Sequence, residues 1–164
     1  MLSRRVTLAV GVLLTLPASA IADCAIEHAT YHDRDDVAEL RFLPVDGQSF
    51  VANGFELKVG SNPPFEGFVL WTENPLRPHA RVTYQCPEGD VTGDEIEACT
   101  IWHGPIYAVD QTGGLDVLPR EGAPAPAGLL LADLGFRMVG AAAFDELPLE
   151  QVPWDGFRLV GCRP

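Results

Sequence analysis

Apolar and polar residues alternate with a period of two over several short stretches of this chain, and that periodicity limits the possible fold more than any other feature. Ala38, Leu40 and Phe42 alternate with Glu39 and Arg41; Phe55, Leu57 and Val59 with Glu56 and Lys58; Val82, Tyr84 and Cys86 with Thr83 and Gln85. Successive side chains of a strand point to opposite faces, so each stretch reads as a strand with one buried and one wetted face. Further strand candidates are 24–31, 65–72, 100–109, 115–118 and 154–162. Between them stand Asp46-Gly47, Asn53-Gly54, Ser61-Asn62-Pro63-Pro64, Asn74-Pro75, Thr112-Gly113-Gly114 and Asp155-Gly156, residue types that tolerate or fix turn geometry. Turn signals recurring about every ten residues suit an antiparallel sandwich or barrel. The expected class is therefore all-β, with one short helix near 128–134, where Leu129-Leu130-Leu131-Ala132-Asp133-Leu134 runs up to Gly135, and a strand after it over 136–139. An α+β arrangement is the alternative.

The chain opens with Arg4 and Arg5, continues through an apolar run over 6–16, and reaches Pro17 and then Ala18-Ser19-Ala20-Ile21-Ala22. A charged start, an apolar middle and a small-residue cleavage site in that order read as a secretory signal peptide over residues 1–22, leaving 23–164 as one disulfide-stapled domain. The apolar run is shorter than the ~20 residues of a spanning helix, so no membrane span is expected after cleavage. A lipobox at Cys24 is disfavoured because Asp23, not a small residue, precedes it. The compartment implied is periplasmic or secreted, in a bacterium.

Four cysteines follow the leader, at 24, 86, 99 and 162, an even number that an oxidising compartment converts into two disulfides. Of the three connectivities, Cys86–Cys99 with Cys24–Cys162 is favoured. The first pair would bracket a short acidic loop and the second would tie the ends of the domain together. No pair has Cys-x-x-Cys spacing, which argues against thioredoxin-like redox chemistry and a Cys-rich zinc site.

The formal charge of the whole chain is −12 and moves to about −14 once Arg4 and Arg5 leave. A chain so acidic is a poor ligand for nucleic acid or an anionic membrane, and suits a basic or envelope protein as partner.

Catalytic signatures are few. Ser49 and Ser61 are the only serines after the leader, and neither lies in Gly-x-Ser-x-Gly; His-Glu-x-x-His, phosphate-binding glycine loops and the dinucleotide fingerprint do not occur. His28, His32 and Asp33 are the candidate metal ligands, two imidazoles four apart with an acid beside them. Residues four apart on a strand are, however, about 13 Å apart along it. The loop from Glu88 through Asp90 and Asp94 to Glu97 offers oxygens for calcium or paired carboxylates for glycoside hydrolysis, without matching the EF-hand spacing. No cofactor is implied. Trp71, Tyr84, Trp102, Tyr107 and Trp154 are expected to be core residues whose polar tips reach a partner, and 102–105 is expected to form an exposed kink.

Tyr84-x-Cys86-x-x-Gly89 resembles the Tyr-x-Cys-x-x-Gly opening of periplasmic inhibitors of C-type lysozyme, which are small disulfide-containing β-barrels. In those proteins the motif stands near the mature start and a Ser-Gly-x-x-Tyr loop follows. Here about sixty residues precede it after the leader, and that loop is absent. The resemblance implies only that a compact acidic barrel can be a protein ligand.

The reading that follows is a non-catalytic binding module for a protein or envelope ligand. The alternatives are a cell-envelope hydrolase using carboxylates of the 86–99 loop and a metal-binding accessory protein using His28 and His32. Intact-mass measurement on the protein isolated from its own compartment is expected to give a chain beginning at Ile21 or Asp23 with two disulfides; free thiols would overturn the export reading.

Overall fold

A computed structural model describes residues 24–47, 50–145, 147 and 149–163; the leader over 1–22 lies outside the described residues. Nine strands form among the described residues: β1 (Ala29–Asp33), β2 (Ala38–Leu43), β3 (Asn53–Val59), β4 (Phe65–Glu73), β5 (Leu76–Thr83), β6 (Thr100–Val109), β7 (Leu115–Val117), β8 (Gly128–Leu131) and β9 (Gly156–Cys162), the alternating stretches supplying β2, β3 and the end of β5. Two short helices, α1 (Gly93–Ala98) and α2 (Leu134–Val139), interrupt them. All pairings between these strands are antiparallel. From β1 to β6 each strand neighbours the next, β8 and β9 continue the circuit, and β9 closes on β1. The result is an eight-stranded barrel with β7 as an extra strand; of the sandwich and the barrel left open by the sequence, the barrel is what forms.

In-register pairs show why the alternation closes so well. Tyr31 faces Leu40, Leu40 faces Leu57, Phe42 faces Phe55, Phe55 faces Gly67, Gly67 faces Val82 and Val82 faces Trp102. Every member of that circuit other than the glycine is an apolar or aromatic side chain at most 1% exposed. Eight strands leave an interior just wide enough for side chains to fill. Tyr31 and Phe42 meet edge to face at 5.9 Å, and Phe55 lies 5.9 Å beyond. Gly67 is the concession to this filling: a Cβ built there would stand 2.2 Å from the Phe55 ring, so only glycine lets that ring lie across β4.

On the outside, Glu39 pairs with Lys58 and Arg41 with Glu56 across β2 and β3, and Glu66, Arg81 and Arg158 continue the charged surface. That is the reverse of a lipid-facing barrel, whose outer band is apolar. No helix among the described residues is long and apolar enough to cross a membrane.

The seam between β5 and β6 is set by proline. Their pairing ends at His79 opposite Pro105, and beyond it Pro78 has no N–H to donate, so β7 takes over the free edge of β6 from Tyr107 onward. Both ends of the barrel are plugged. At one end Leu134 and Met138 of α2 are fully buried; Ile26, from the 3-10 turn Ile26–His28, and Leu118 join the core from the other. Cys24–Cys162 fastens the closing strands beside the pair Ala29 and Cys162, and Cys86–Cys99 closes the loop between β5 and β6.

Several sequence readings shift at residue level. Leu129, Leu130 and Leu131 form β8 and the helix starts at Leu134, so the order expected over 128–139, helix then strand, is inverted. A short apolar run has no period of its own, and its pairing with β6 and β9 decides the outcome. Asn53-Gly54 is not a turn but the start of β3, opposite Val69 and Phe68. The strand placed at 24–31 begins only at Ala29, because Ile26–His28 coils into the barrel end. The strand placed through Cys86 stops at Thr83, and Gln85 takes a left-handed φ of 49°. Residues 102–105, expected as a kink, run straight through β6.

Gly67→Ala is expected to lower unfolding free energy by about 1–3 kcal/mol through overpacking against Phe55. In a double-mutant cycle with Phe55→Ala, chemical denaturation should show that the glycine substitution costs much less once the ring is gone; strict additivity would refute the contact.

Candidate functional site

The sequence-derived candidates do not gather. His28 lies in the 3-10 turn before β1, not on the strand with His32. His32 points to the barrel exterior, its Nδ1 3.0 Å from Asp36 Oδ1 and its Nε2 3.2 Å from Glu39 Oε2. Asp33 turns inward and is fully buried, where its two oxygens accept from the N–H groups of Ala38 (2.9 Å) and Trp154 (3.1 Å). Asp33 therefore spends its carboxylate on joining the β1–β2 turn to the segment before β9. Among the described residues no three His, Cys, Asp or Glu side chains stand close enough to hold a metal ion.

The same turn carries a surface network that the sequence did not disclose. Arg34 stacks 3.7 Å above the Trp154 ring, Trp154 Nε1 donates to Asp35 Oδ2 at 2.6 Å, and Arg158 reaches Asp36 at 2.8 Å. The indole N–H, and secondarily Arg34, hold the Asp35 carboxyl below its usual range. Of the aromatic residues expected in the core, Trp102 is buried with Nε1 donating to Ala132 O at 3.0 Å, while Trp154 is 47% exposed. Trp71 is half-buried beneath Arg120, at 4.7 Å, and its Nε1 has no partner among the described residues.

A candidate face lies where α1, the start of β6 and α2 meet. Local sequence builds each part. Thr92 caps α1: Glu95 N–H donates to Thr92 Oγ1 (3.3 Å), while the Thr92 N–H and hydroxyl both donate to Glu95 Oε2 (2.8 Å each). These bonds, the backbone one first, keep the Glu95 carboxyl below its ordinary value. The Cys86–Cys99 bridge, with Cα atoms 5.2 Å apart, holds this capped helix against the barrel rim. Thr100 Oγ1 donates to Ile96 O at 2.6 Å and accepts from Arg81 Nη1 at 2.6 Å, and Arg81 stands 3.6 Å from Glu97. A register shift opposite Val82 and Thr83 adds a residue to β6, so that Ile101 and Trp102 are both buried.

α2 completes the face. Its Leu134, Gly135 and Met138 are buried; a Cβ on Gly135 would come within 2.4 Å of Pro153 O, so glycine lets the 152–153 segment close over the helix. On the opposite side Phe136 is 83% exposed and Val139 61% exposed. Between α2 and β6 runs a groove of about 440 Å³, floored by Ile101 and Ala141, walled by Phe136 and Val139, and edged by Glu97 and His103. The exposed acids Glu88, Asp90, Asp94 and Glu95 continue from that edge along the disulfide loop. Asp94 and Glu97, the pair with glycosidase potential, sit outward on one short helix, with Glu97 engaged by Arg81 and 4.0 Å from His103 Nε2.

The segment resembling lysozyme inhibitors, 84–89, forms the entry to this disulfide loop, with Tyr84 packed edge-on against Phe65 at 5.6 Å. No protein-family model, curated protein or solved structure matches the chain, so the class is set by the structure alone: a disulfide-stapled, eight-stranded antiparallel barrel with a filled interior.

The cap makes a pH-dependent prediction. The Glu95 carboxyl is lowered in the folded protein, so its contribution to α1 is present above the ordinary carboxylate range and lost as pH falls through the lowered value. The protection of the amides of residues 93–99, taken as the ratio of intrinsic to observed hydrogen-exchange rate at each pH, should fall on acidification across that interval. Glu95→Gln should remove that pH dependence; an unchanged profile in the variant would refute the role of the cap.

Proposed function

We propose that this protein is an exported, non-catalytic binding module whose partner is a cationic protein segment with an apolar stripe, docked on the α1–α2 face. One observation carries the reading. α2 buries one side in the barrel end and turns Phe136 and Val139 outward, beside a groove lined also by Glu97, His103 and Arg137, with the exposed acids Glu88, Asp90, Asp94 and Glu95 preceding Glu97 in the disulfide loop. Exposing a phenylalanine and a valine together on a helix of six residues gives the free protein nothing, whereas covering them in a complex removes apolar surface from water.

Charge selects the partner. Arg137 is the one basic residue of α2, set against Glu88, Asp90, Asp94, Glu95 and Glu97 on the neighbouring loop, in a chain of formal charge −12. Such a surface accelerates encounter with a basic partner, and the aromatic and aliphatic side chains then hold it. Export is supported by the leader-like residues 1–22, by two disulfides, which persist in oxidising compartments, and by the cation-poor composition.

The test is an amide-shift titration of the oxidised protein with a Leu/Lys amphipathic helical peptide and with its Leu/Glu counterpart. The Leu/Lys peptide is expected to bind with shifts concentrated at residues 94–103 and 134–141. Phe136→Asp with Val139→Asp should weaken it at least tenfold while leaving Tm within a few degrees, since both side chains are exposed. Equal binding of the two peptides, or shifts spread over the whole acidic surface, would refute the reading.

A further inference from the structure

At the opposite end of the barrel a larger recess opens. It measures about 630 Å³ and lies between the β6–β7 turn, the segment leading into β8, and β9. Its walls are apolar: Ala108 and Leu159 from barrel strands, Val117 from β7, and Pro126 from the strap before β8. The strap is held from two sides. Tyr31, inside the barrel, donates its hydroxyl to Pro126 O at 3.0 Å, and Ala125 N–H donates to Cys24 O at 2.8 Å beside the closing disulfide. A cleft so braced is preformed, and its volume falls within the range of small-molecule sites.

Two exposed carboxylates, those of Asp110 and Asp116, stand at the rim of this recess. Asp110 Oδ1 accepts from the Thr112 N–H (2.7 Å), the Thr112 hydroxyl (2.7 Å) and the Gly114 N–H (2.8 Å), which fixes the group. The same bonds, that of the Thr112 hydroxyl foremost, hold its carboxyl below the usual range. Asp116 Oδ1 accepts from the Val117 N–H at 2.7 Å. Neither lysine nor arginine lines the recess to neutralise them. A hard metal ion would need six or more oxygen ligands, which walls of proline, alanine, valine and leucine do not supply. An organic cation asks for the opposite balance, one or two anionic oxygens and an apolar enclosure.

We propose that this recess binds a small organic ammonium ion with an apolar body, the ammonium group lying between Asp110 and Asp116 and the body against Val117, Pro126 and Leu159. The site is separate from the α1–α2 face: β6 carries its start to that face and its end to this recess, nine residue steps or about 30 Å apart.

The probes are hexylammonium and tryptamine, each paired with its neutral alcohol, hexanol and tryptophol, titrated into the oxidised protein and followed by amide shifts. Saturable shifts at Ala108, Ala127 and Leu159 are expected for the amines, with at least about fivefold tighter binding than the alcohols, the scale of one ion pair near a protein surface. Asp116→Asn should erase that preference, and Val117→Trp, which fills the recess, should abolish binding of amines and alcohols alike. If neither amine gives saturable shifts at millimolar concentration, if alcohols bind as well as amines, or if the shifts fall at Phe136 and Val139 instead, the proposal fails. Far-ultraviolet circular dichroism of both variants confirms that the barrel is intact, so that a folding defect is not mistaken for lost binding.

Discussion

Closure of β9 onto β1 is the constraint on which this structure depends. An open eight-stranded meander would leave two edges with unpaired N–H and C=O groups and a row of aromatic side chains facing water. Pairing Tyr31 with Leu159 and Asp33 with Phe157 removes both edges and completes the wall around Tyr31, Phe42, Phe55 and Trp102. The Cys24–Cys162 disulfide spans 138 residues and lies at the end of this closing ladder, so in the loop-entropy model it contributes about 5 kcal/mol by denying the unfolded chain most of its freedom. At the other end of the same seam, buried Asp33 collects the N–H groups of Ala38 and Trp154, joining three segments at one carboxylate. Covalent and hydrogen-bonded clamps therefore sit at opposite ends of the ladder whose failure would open the barrel.

A filled interior dictates where function can reside. Phe55 lies across Gly67 and Trp102 fills the space beside Gly104, so among the described residues side chains occupy the barrel interior there. Both proposed surfaces lie at the two ends, where loops and helices depart from the regular ladder. At one end the departure is the bulge at Ile101 with the disulfide-held α1 and the half-buried α2; at the other it is the handover from β5 to β7 and the proline strap. Irregularity in the ladder and surface with binding character coincide at both ends, which is the expected division between scaffold and loops.

Much of the barrel was legible because its sequence alternates where one face is wet. β2 and β3 follow directly from Ala38, Leu40, Phe42 and Phe55, Leu57, Val59, whose intervening charges pair across the outer surface. β8 was not legible, because Leu129–Leu131 is apolar on both faces: Leu129 and Leu131 are buried inside, and Leu130 lies against Tyr107 of the neighbouring strand. Asn53 misled for a different reason. It is a turn former by type, yet it is 2% exposed inside β3 with neither amide atom partnered among the described residues. The two proposed surfaces were hidden because their parts are remote in sequence. Phe136 and Val139 read as a strand until α2 is seen to bury Leu134 and Met138, and nothing local connects Asp110 with Pro126 or Leu159.

The separation of the two ends has its own consequence. Substitutions more than about 10 Å apart with no shared partners act additively, and the two ends are joined by whole barrel strands, β6 and β8 among them, around a core packed without slack. Either end can therefore change its specificity without disturbing the other, so long as the β1–β9 seam holds. The seam itself uses residues from neither proposed surface except Leu159, which faces Tyr31 across the closing ladder and also lines the recess. Leu159 is thus the point where ligand and scaffold meet. Occupation of the recess would cover the outer side of a residue that helps close the barrel, so a ligand there should resist opening of the seam more than it resists changes at α2, because binding stabilises the state in which its contacts exist.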